Sequence, residues 1–558
     1  MACTPGILYV TMQPSPELPL SQFHDWYNNE HGPTRLRLPF MDNGFRYRAT
    51  DLETEGAGTD DMPEWMAIYD VTDMEELTRD TYLRLREDGV KSKREKDVMR
   101  QIKVGRKLYD FLGERRGQAF QKLEEVGVAE KEGNFLVALS LIVEDGKDGK
   151  ELDRWYNEQH IDMLSKVPGW LRTRRFVTSS ILEGKEGIEY LALHEFSPEN
   201  GADGEEYRAA TSTQWARDLM ANMAREKKRR VYNLYYTFGA APRHLSEMAE
   251  FVSPDGKTRT IPRSLDDCPA LESYVTTQDG VVLPYRLEGS SDPNAPCIVL
   301  SNSILVDWRI WDDFVTSFLS FPQNKHYRIL RYLTRGRLSN YGSQEITLDL
   351  LAYDIVSLLD SLRIPKTAAL IGVSLGGATA LNVALKYPDR LAAFISCDTS
   401  SKSPPGNKST WADRIALAEM EGAKTAGNER IVGEQLARMT VRRWFVPETF
   451  DGVEGVEGDM RRLNVEVMVK SNDLDGFKKS VEALFKYDLR KGMKESRVRA
   501  AFVVGAGDGV LPATMKEMAA AYGNGAEYVL IDGAGHLPMV EKPQEFAVVV
   551  TKFMDGEL

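Results

Sequence analysis

Hydrophobic and polar positions change rhythm once along this 558-residue chain. In the first 240 residues short alternating runs predict half-buried strands, and segments of helical period follow them. Residues 6–12 (GILYVTM) and 134–143 (NFLVALSLIV) open two such series. Each leads into a helix with one aromatic signature, first Trp26-Tyr27-Asn28-Asn29-Glu30-His31, then Trp155-Tyr156-Asn157-Glu158-Gln159-His160. A basic, aromatic strand comes next, at 44–48 and 169–176, and a third strand at 65–70 and 190–196. A charged helix and a last strand, near 107–111 and 231–238, complete each series. The order β-α-β-β-α-β therefore occurs twice, and the first half of the chain is an internal duplication.

From residue 272 the rhythm is that of α/β structure. Runs at 273–277 and 281–287 flank Asp279-Gly280, a hairpin turn signal. Continuous apolar runs at 296–300, 327–333, 368–371, 391–396, 498–504 and 527–531 predict buried strands. An amphipathic helix spans about 347–362, and residues 400–494, rich in charge and helix formers, suit a cap inserted over a site. Residues 239–271 lack periodicity and read as a linker, and the lysine- and glutamate-rich stretch 113–133 as a tether between the two repeats. The expected organisation is residues 1–112 and 134–240 as ferredoxin-like α+β repeats closing one internal barrel, then an α/β domain over 272–558. Because two repeats on one chain can hide each other's apolar sheet face, the barrel half is expected to be self-contained.

The chemistry concentrates where the run 368–371 breaks at Gly372-Val373-Ser374-Leu375-Gly376 and continues as an apolar helix. A G-x-S-x-G turn between strand and helix is the nucleophile elbow of α/β-hydrolases, and its glycines leave room where a Cβ would collide. Asp508 and His536 each stand just beyond a later strand, in the order nucleophile, acid, base. A serine hydroxyl needs a histidine to accept its proton, and that histidine needs a carboxylate to hold its tautomer. Asp398 ends the neighbouring strand and is the alternative carboxylate; as a turn or cap residue it would have no such role. The N–H groups of Leu375 and Ile304 are the expected oxyanion donors, with the Ser303 hydroxyl either a third donor or a turn closure.

Ser301-Asn302-Ser303 with Trp311-Asp312, then Arg331-Tyr332 and Thr334-Arg335-Gly336, then G-V-S-L-G-G, resemble the 3-oxoadipate enol-lactonases over about residues 272–555. The resemblance implies Ser374, Asp508 and His536 as a triad. It makes Trp411 and Arg414, three apart on one cap-helix face, candidates to touch an acidic substrate; Arg414 on solvated cap surface is the alternative. Those lactonases read Arg-Tyr-Asp-Thr-Arg-Gly-His-Gly where this chain has Leu333, Arg337 and Leu338, which puts their own substrate in doubt here. The W-Y-N-x-x-H pairs, over about residues 1–240, resemble the EthD-like dimeric α/β barrels. Tyr27 with His31, and Tyr156 with His160, share one helix face in each repeat. Each histidine either faces a pocket as acid or base, or bonds a backbone carbonyl at a helix end above a tryptophan–tyrosine core. Gly32-Pro33 is expected to bend or end the first helix, where the second repeat has Ile161-Asp162, so the two copies are not equivalent.

Composition narrows the rest. A net charge of −13 argues against nucleic acid and anionic membrane as partners. Four scattered cysteines (Cys3, Cys268, Cys297, Cys397) and an amino terminus without a basic leader or long apolar run lead to an expectation of a reducing, cytoplasmic setting. No cofactor and no metal are expected. The reading that follows is a serine hydrolase opening a lactone or ester through an acyl-enzyme. The barrel would isomerise or bind substrate, since muconolactone-isomerase-type barrels act one step ahead of enol-lactonases. A lyase, cyclase or C–C hydrolase on a polyketide-like or aromatic-derived metabolite is the alternative, as is a barrel that only binds or scaffolds.

Overall fold

The computed structural model describes residues 3–52, 54–123, 133–144, 149–182, 188–263, 268–338, 341–450 and 455–558. The chain divides into two compact units, Met1–Asp255 and Gly256–Leu558. Among the described residues no helix is long and apolar enough to cross a membrane.

The first unit is built on eight strands: β1 (Gly6–Pro14), β2 (Met41–Ala49), β3 (Trp65–Val71), β4 (Ile102–Arg116), β5 (Phe135–Val143), β6 (Trp170–Thr178), β7 (Glu189–Phe196) and β8 (Ala224–Thr237). They close into a barrel in the order β1-β3-β2-β8-β5-β7-β6-β4. Read around the ring, this is β4-β1-β3-β2 followed by β8-β5-β7-β6, one arrangement used twice. Antiparallel pairing of β2 with β8 and of β4 with β6 joins the two sets. The period of two sends alternate side chains to opposite faces. Ile7, Phe45, Ile68, Leu136, Leu193 and Leu234 thus share the interior. Leu8, Val10 and Met12 face outward into a layer with Trp26 and Tyr27, and Val137 and Leu141 do the same with Trp155 and Tyr156.

Three expectations fail here for local reasons. The first aromatic helix does not end at Gly32-Pro33; it runs Leu20–Trp26, widens to an i→i+5 turn over Tyr27–His31 and continues as Gly32–Leu36. Pro33, second in that last segment, offers no N–H to the preceding turn, yet the run stays helical through it. The same wide turn occurs at Tyr156–His160 without a proline, so the proline is not its cause. Residues 113–116, assigned to the tether, are strand: β4 continues to Arg116 against β6, with Glu114 bonding Arg172 across the pair. Residues 251–252 and 259–261 of the expected linker are also strands, the latter pairing with Ala270–Thr276 and burying Thr260. Residues 124–132 of the tether, 264–267 of the linker and 451–454 of the cap insertion lie outside the described residues.

The second unit has a mixed sheet. Arg328–Tyr332, Cys297–Ser301, Ala369–Val373, Ala393–Cys397, Arg499–Gly505 and Glu527–Ile531 run parallel, each beside the next, and Val282–Gly289 and Ala270–Thr276 continue the sheet antiparallel. Its central strands are buried at every position, which is why they read as unbroken apolar runs. Helices Asn407–Glu421, Glu434–Trp444, Gly455–Lys470 and Leu474–Ser480 fall between the strands Ala393–Cys397 and Arg499–Gly505.

Candidate active site

Ser374 ends the central strand Ala369–Val373 and heads the helix Leu375–Lys386. Its backbone sits at φ +57°, ψ −116°, a strained conformation that a β-carbon tolerates only when the surroundings impose it. They do: the Ser374 N–H donates to the Cys397 carbonyl at 2.8 Å. A Cβ on Gly372 would strike the carbonyl of Gly376, and one on Gly376 the carbonyl of Ser301. Both glycines are therefore required by close approach of backbone. The loop opposite is pinned by Asn302, whose amide donates to the Tyr332 carbonyl at 2.7 Å and accepts from the Trp311 indole at 2.9 Å. Leu305 at φ +70° turns that loop, and its carbonyl accepts from Asn472 of the cap. Ser303 is buried, and its hydroxyl has no hydrogen-bond partner among the described residues.

Asp508 and His536 meet: His536 Nδ1 lies 2.7 Å from Asp508 Oδ2. The ring is stacked on Trp444 at 5.4 Å between centroids, and the backbone N–H of His536 donates to the Trp444 carbonyl at 2.7 Å. Burial would raise the Asp508 carboxyl, but the charge and hydrogen bond of His536 outweigh it and hold the group below its usual range. Asp398 stands behind, fully buried, with Oδ1 accepting the Gly505 N–H at 2.9 Å. Burial, then the charge of Asp508, pushes its carboxyl well above the ordinary range, so Asp398 is neutral where Asp508 is ionised. The ligand atoms of Asp398, Asp508 and His536 all lie within 4.8 Å of one another. A protonated Asp398 is a poor metal donor, and His536 Nδ1 is already engaged.

Ser374, Asp508 and His536 line a single cavity of about 250 Å³, together with Ile304, Leu375, Asp398, Trp411 and Arg414. Arg414 lies over the Trp411 ring at 4.3 Å. Burial, then the neighbouring Arg443, lowers its guanidinium to about 10. Neither Arg414 nor Arg443, which lines the same cavity, forms an ion pair among the described residues. Arg337, at the position where the lactonases carry histidine, is spent elsewhere: it bonds Asp307, the Met468 carbonyl and Ser471.

A model described as the alpha/beta hydrolase family matches residues 298–549, the stretch that holds this cavity. The carboxyl-terminal half is an α/β-hydrolase. It is 26% identical over 280 residues to 3-oxoadipate enol-lactonase 1 of Acinetobacter baylyi, a match spanning 50% of this chain and 96% of that protein. It is also 26% identical over 285 residues to 3-oxoadipate enol-lactonase 2 of the same organism, with 50% and 95% covered. Among solved structures, the enol-lactonase from Burkholderia xenovorans LB400 shares 29% identity over 50% of this chain and 99% of its own, with a TM-score of 0.44. The chain is thus a hydrolase enzyme, its hydrolase half related to enol-lactonases.

Two contributors to the hydrolase site escaped the sequence reading. Glu541, buried, accepts from the N–H groups of Gly535 and Val446 and from the Thr449 hydroxyl, tying the histidine loop to the cap. Arg443 reaches the cavity from the helix Glu434–Trp444. An acid directly after the apolar run 537–540 was the available signal for the first; nothing local marks the second.

In the barrel the four candidate residues are buried. His31 Nδ1 lies 2.9 Å from the Glu95 carboxylate, while His160 Nδ1 lies 3.0 Å from the Ala210 carbonyl. The carbonyl-bonded alternative thus describes His160 but not His31. Tyr27 bonds the Tyr69 hydroxyl at 2.9 Å and stacks on Phe238. Tyr156 borders a void of about 10 Å³, room for one water. Neither histidine is among the residues lining the cavities of about 10 and 580 Å³ in this unit, and burial lowers both, each to about 4, which keeps them neutral.

Proposed function

We propose that this chain is a serine hydrolase that opens a lactone or ester bearing a carboxylate, through an acyl-enzyme. The observation that carries the reading is the 2.7 Å His536–Asp508 bond in the cavity that also holds Ser374 on its strained elbow. Ser374 Oγ attacks the substrate carbonyl carbon as His536 Nε2 takes its proton, and the carbonyl oxygen becomes an oxyanion facing the N–H groups of Ile304 and Leu375. Collapse breaks the acyl C–O bond, and the leaving oxygen takes the proton back from His536. Water then attacks the acyl-serine with His536 again as base, releasing the acid and restoring Ser374. Ionised Asp508 stabilises the imidazolium in both steps. Neutral Asp398 is suited to hold Asp508 rather than to replace it. Arg414 and Arg443, which line the cavity and form no ion pair among the described residues, favour an anionic substrate such as a small enol-lactone-like acid.

The barrel half resembles tandem EthD-like, ferredoxin-like repeats. With His31 and His160 enclosed in core, a binding role suits it better than acid–base chemistry at those histidines. Labelling with a fluorophosphonate, followed by a panel of lactones and esters with and without a carboxylate, tests the hydrolase reading. Modification at Ser374 and a preference of at least about tenfold for the anionic members are expected. Labelling elsewhere, or an unlabelled protein that turns the panel over, would refute it.

A further inference from the structure

The barrel is packed over most of its length, yet one end opens into a cavity of about 580 Å³, within the range of small-molecule sites. The opening comes from a mismatch between the two repeats. Tyr9 of β1 stands opposite Lys107 of β4, and at the corresponding place Ala138 of β5 stands opposite Arg230 of β8. Two residues further on, Thr11 faces Gly105 where Ser140 faces Lys228. Where one repeat carries a tyrosine the other has alanine, and where one carries a lysine the other has glycine. Ala138 and Gly105 leave unfilled the volume that their counterparts occupy.

What remains has a definite chemistry. Tyr109 and Tyr232 are buried at the cavity wall, and Tyr9 meets Tyr109 edge to face at 6.1 Å. Burial raises all three phenols, so they stay protonated and offer ring faces and O–H groups. Glu189 takes two bonds from the Lys107 ammonium, both at 2.8 Å, and also meets the Tyr109 hydroxyl, which leaves its carboxylate acceptor capacity for one more donor in the cavity. Six basic residues against three acidic ones line the space, in a chain whose net charge is −13. Lys227, at the rim, forms no ion pair among the described residues.

We propose that this end of the barrel binds a small hydroxylated aromatic carboxylic acid. Its ring lies against the tyrosines, its hydroxyl donates to Glu189, and its carboxylate stays at the basic rim, away from Glu189. The proposal goes beyond the hydrolase reading and does not depend on it, since no residue of the Ser374 cavity takes part.

Calorimetric titration of the full-length protein with 4-hydroxybenzoate tests it. The expected Kd is on the order of 0.1–1 mM, as ligand efficiencies for about ten heavy atoms allow. The neutral 4-hydroxybenzamide should bind at least about tenfold more weakly. Ala138→Tyr refills the space and should abolish binding while the melting temperature holds. Gly105→Lys, which fills from the other repeat, does the same if Ala138→Tyr fails to fold. Arg414→Ala should leave this binding intact. The proposal is overturned if wild type shows no binding, if the amide binds equally, or if both filled variants bind as wild type. It is equally overturned if Arg414→Ala removes the binding, which would put the acid in the hydrolase cavity.

Discussion

His536 of the hydrolase half and His31 and His160 of the barrel are oriented alike. Each has Nδ1 held by an oxygen, at 2.7, 2.9 and 3.0 Å respectively. Each ring also packs against a tryptophan, Trp444, Trp26 or Trp155. What differs is the surroundings of the rest of the ring. His536 borders a cavity shared with Ser374; the barrel histidines meet only core, and lie 7% and 3% exposed. An orienting partner is thus common to all three histidines, and access to a cavity shared with Ser374 separates His536 from the other two.

The sharpest way to break this contrast is to remove Ser374 or His536, the proposed nucleophile and base. Ser374→Ala and His536→Ala should each lower kcat by on the order of a million-fold, because they act as one unit, with melting temperatures unchanged. Steady-state assays on the preferred lactone measure this, and substantial turnover by Ser374→Ala would put the chemistry elsewhere. Next in size are the carboxylates. Asp508→Asn should cost about ten-thousand-fold through the wrong histidine tautomer. Asp398→Asn should cost less than about tenfold, since a neutral amide can replace a neutral carboxyl behind Asp508. The reverse ranking would transfer the acid's role to Asp398.

The parts of this site that could be read from sequence are those whose physics is local. Gly372, Ser374 and Gly376 announce a turn that only glycines permit, and Asp508 and His536 follow strands marked by unbroken apolar runs. The doubled W-Y-N-x-x-H announced a duplication because both copies keep their core aromatics. Long-range placement was not legible. Arg443 and Glu541 matter because a cap of many helices brings them to the histidine loop, and no spacing encodes that. Nor does composition reveal that the charged end of β4 is strand: Glu114 and Arg172 pair across β4 and β6, so polar side chains there belong to a sheet face. The mismatch of Tyr9 with Ala138 became meaningful only once the register set them at equivalent places.

A smaller effect should appear in acid. Burial lowers His160 to about 4 from an ordinary 6.5, so the folded barrel resists a proton that the unfolded chain accepts. The unfolded state then binds more protons between pH 6.5 and 4, and stability falls as pH falls through that window. The loss from this residue is about 3 kcal/mol once both forms are protonated. Thermal melts across pH 7 to 4 should show the barrel transition moving down, and His160→Gln should flatten the slope. A barrel transition unaffected by that substitution would mean that His160 takes up its proton in the folded state.

The smallest expected effect on catalysis is the most telling. His31→Gln should change ester or lactone turnover by less than about twofold, although it disturbs the barrel. Removing the imidazole takes one bond from the Glu95 carboxylate, which is buried and keeps the Trp26 indole at 2.7 Å. A buried carboxylate short of one partner costs about 1–3 kcal/mol, so the barrel should melt earlier. Turnover should not follow, because the hydrolase cavity is lined by residues between Ile304 and His536, none of which belongs to the barrel unit. Parallel assays and melts on the full-length variant separate the two outcomes. A loss of turnover beyond about tenfold at a temperature where the protein stays folded would make a buried barrel histidine part of the reaction, and access would no longer be what distinguishes the two kinds.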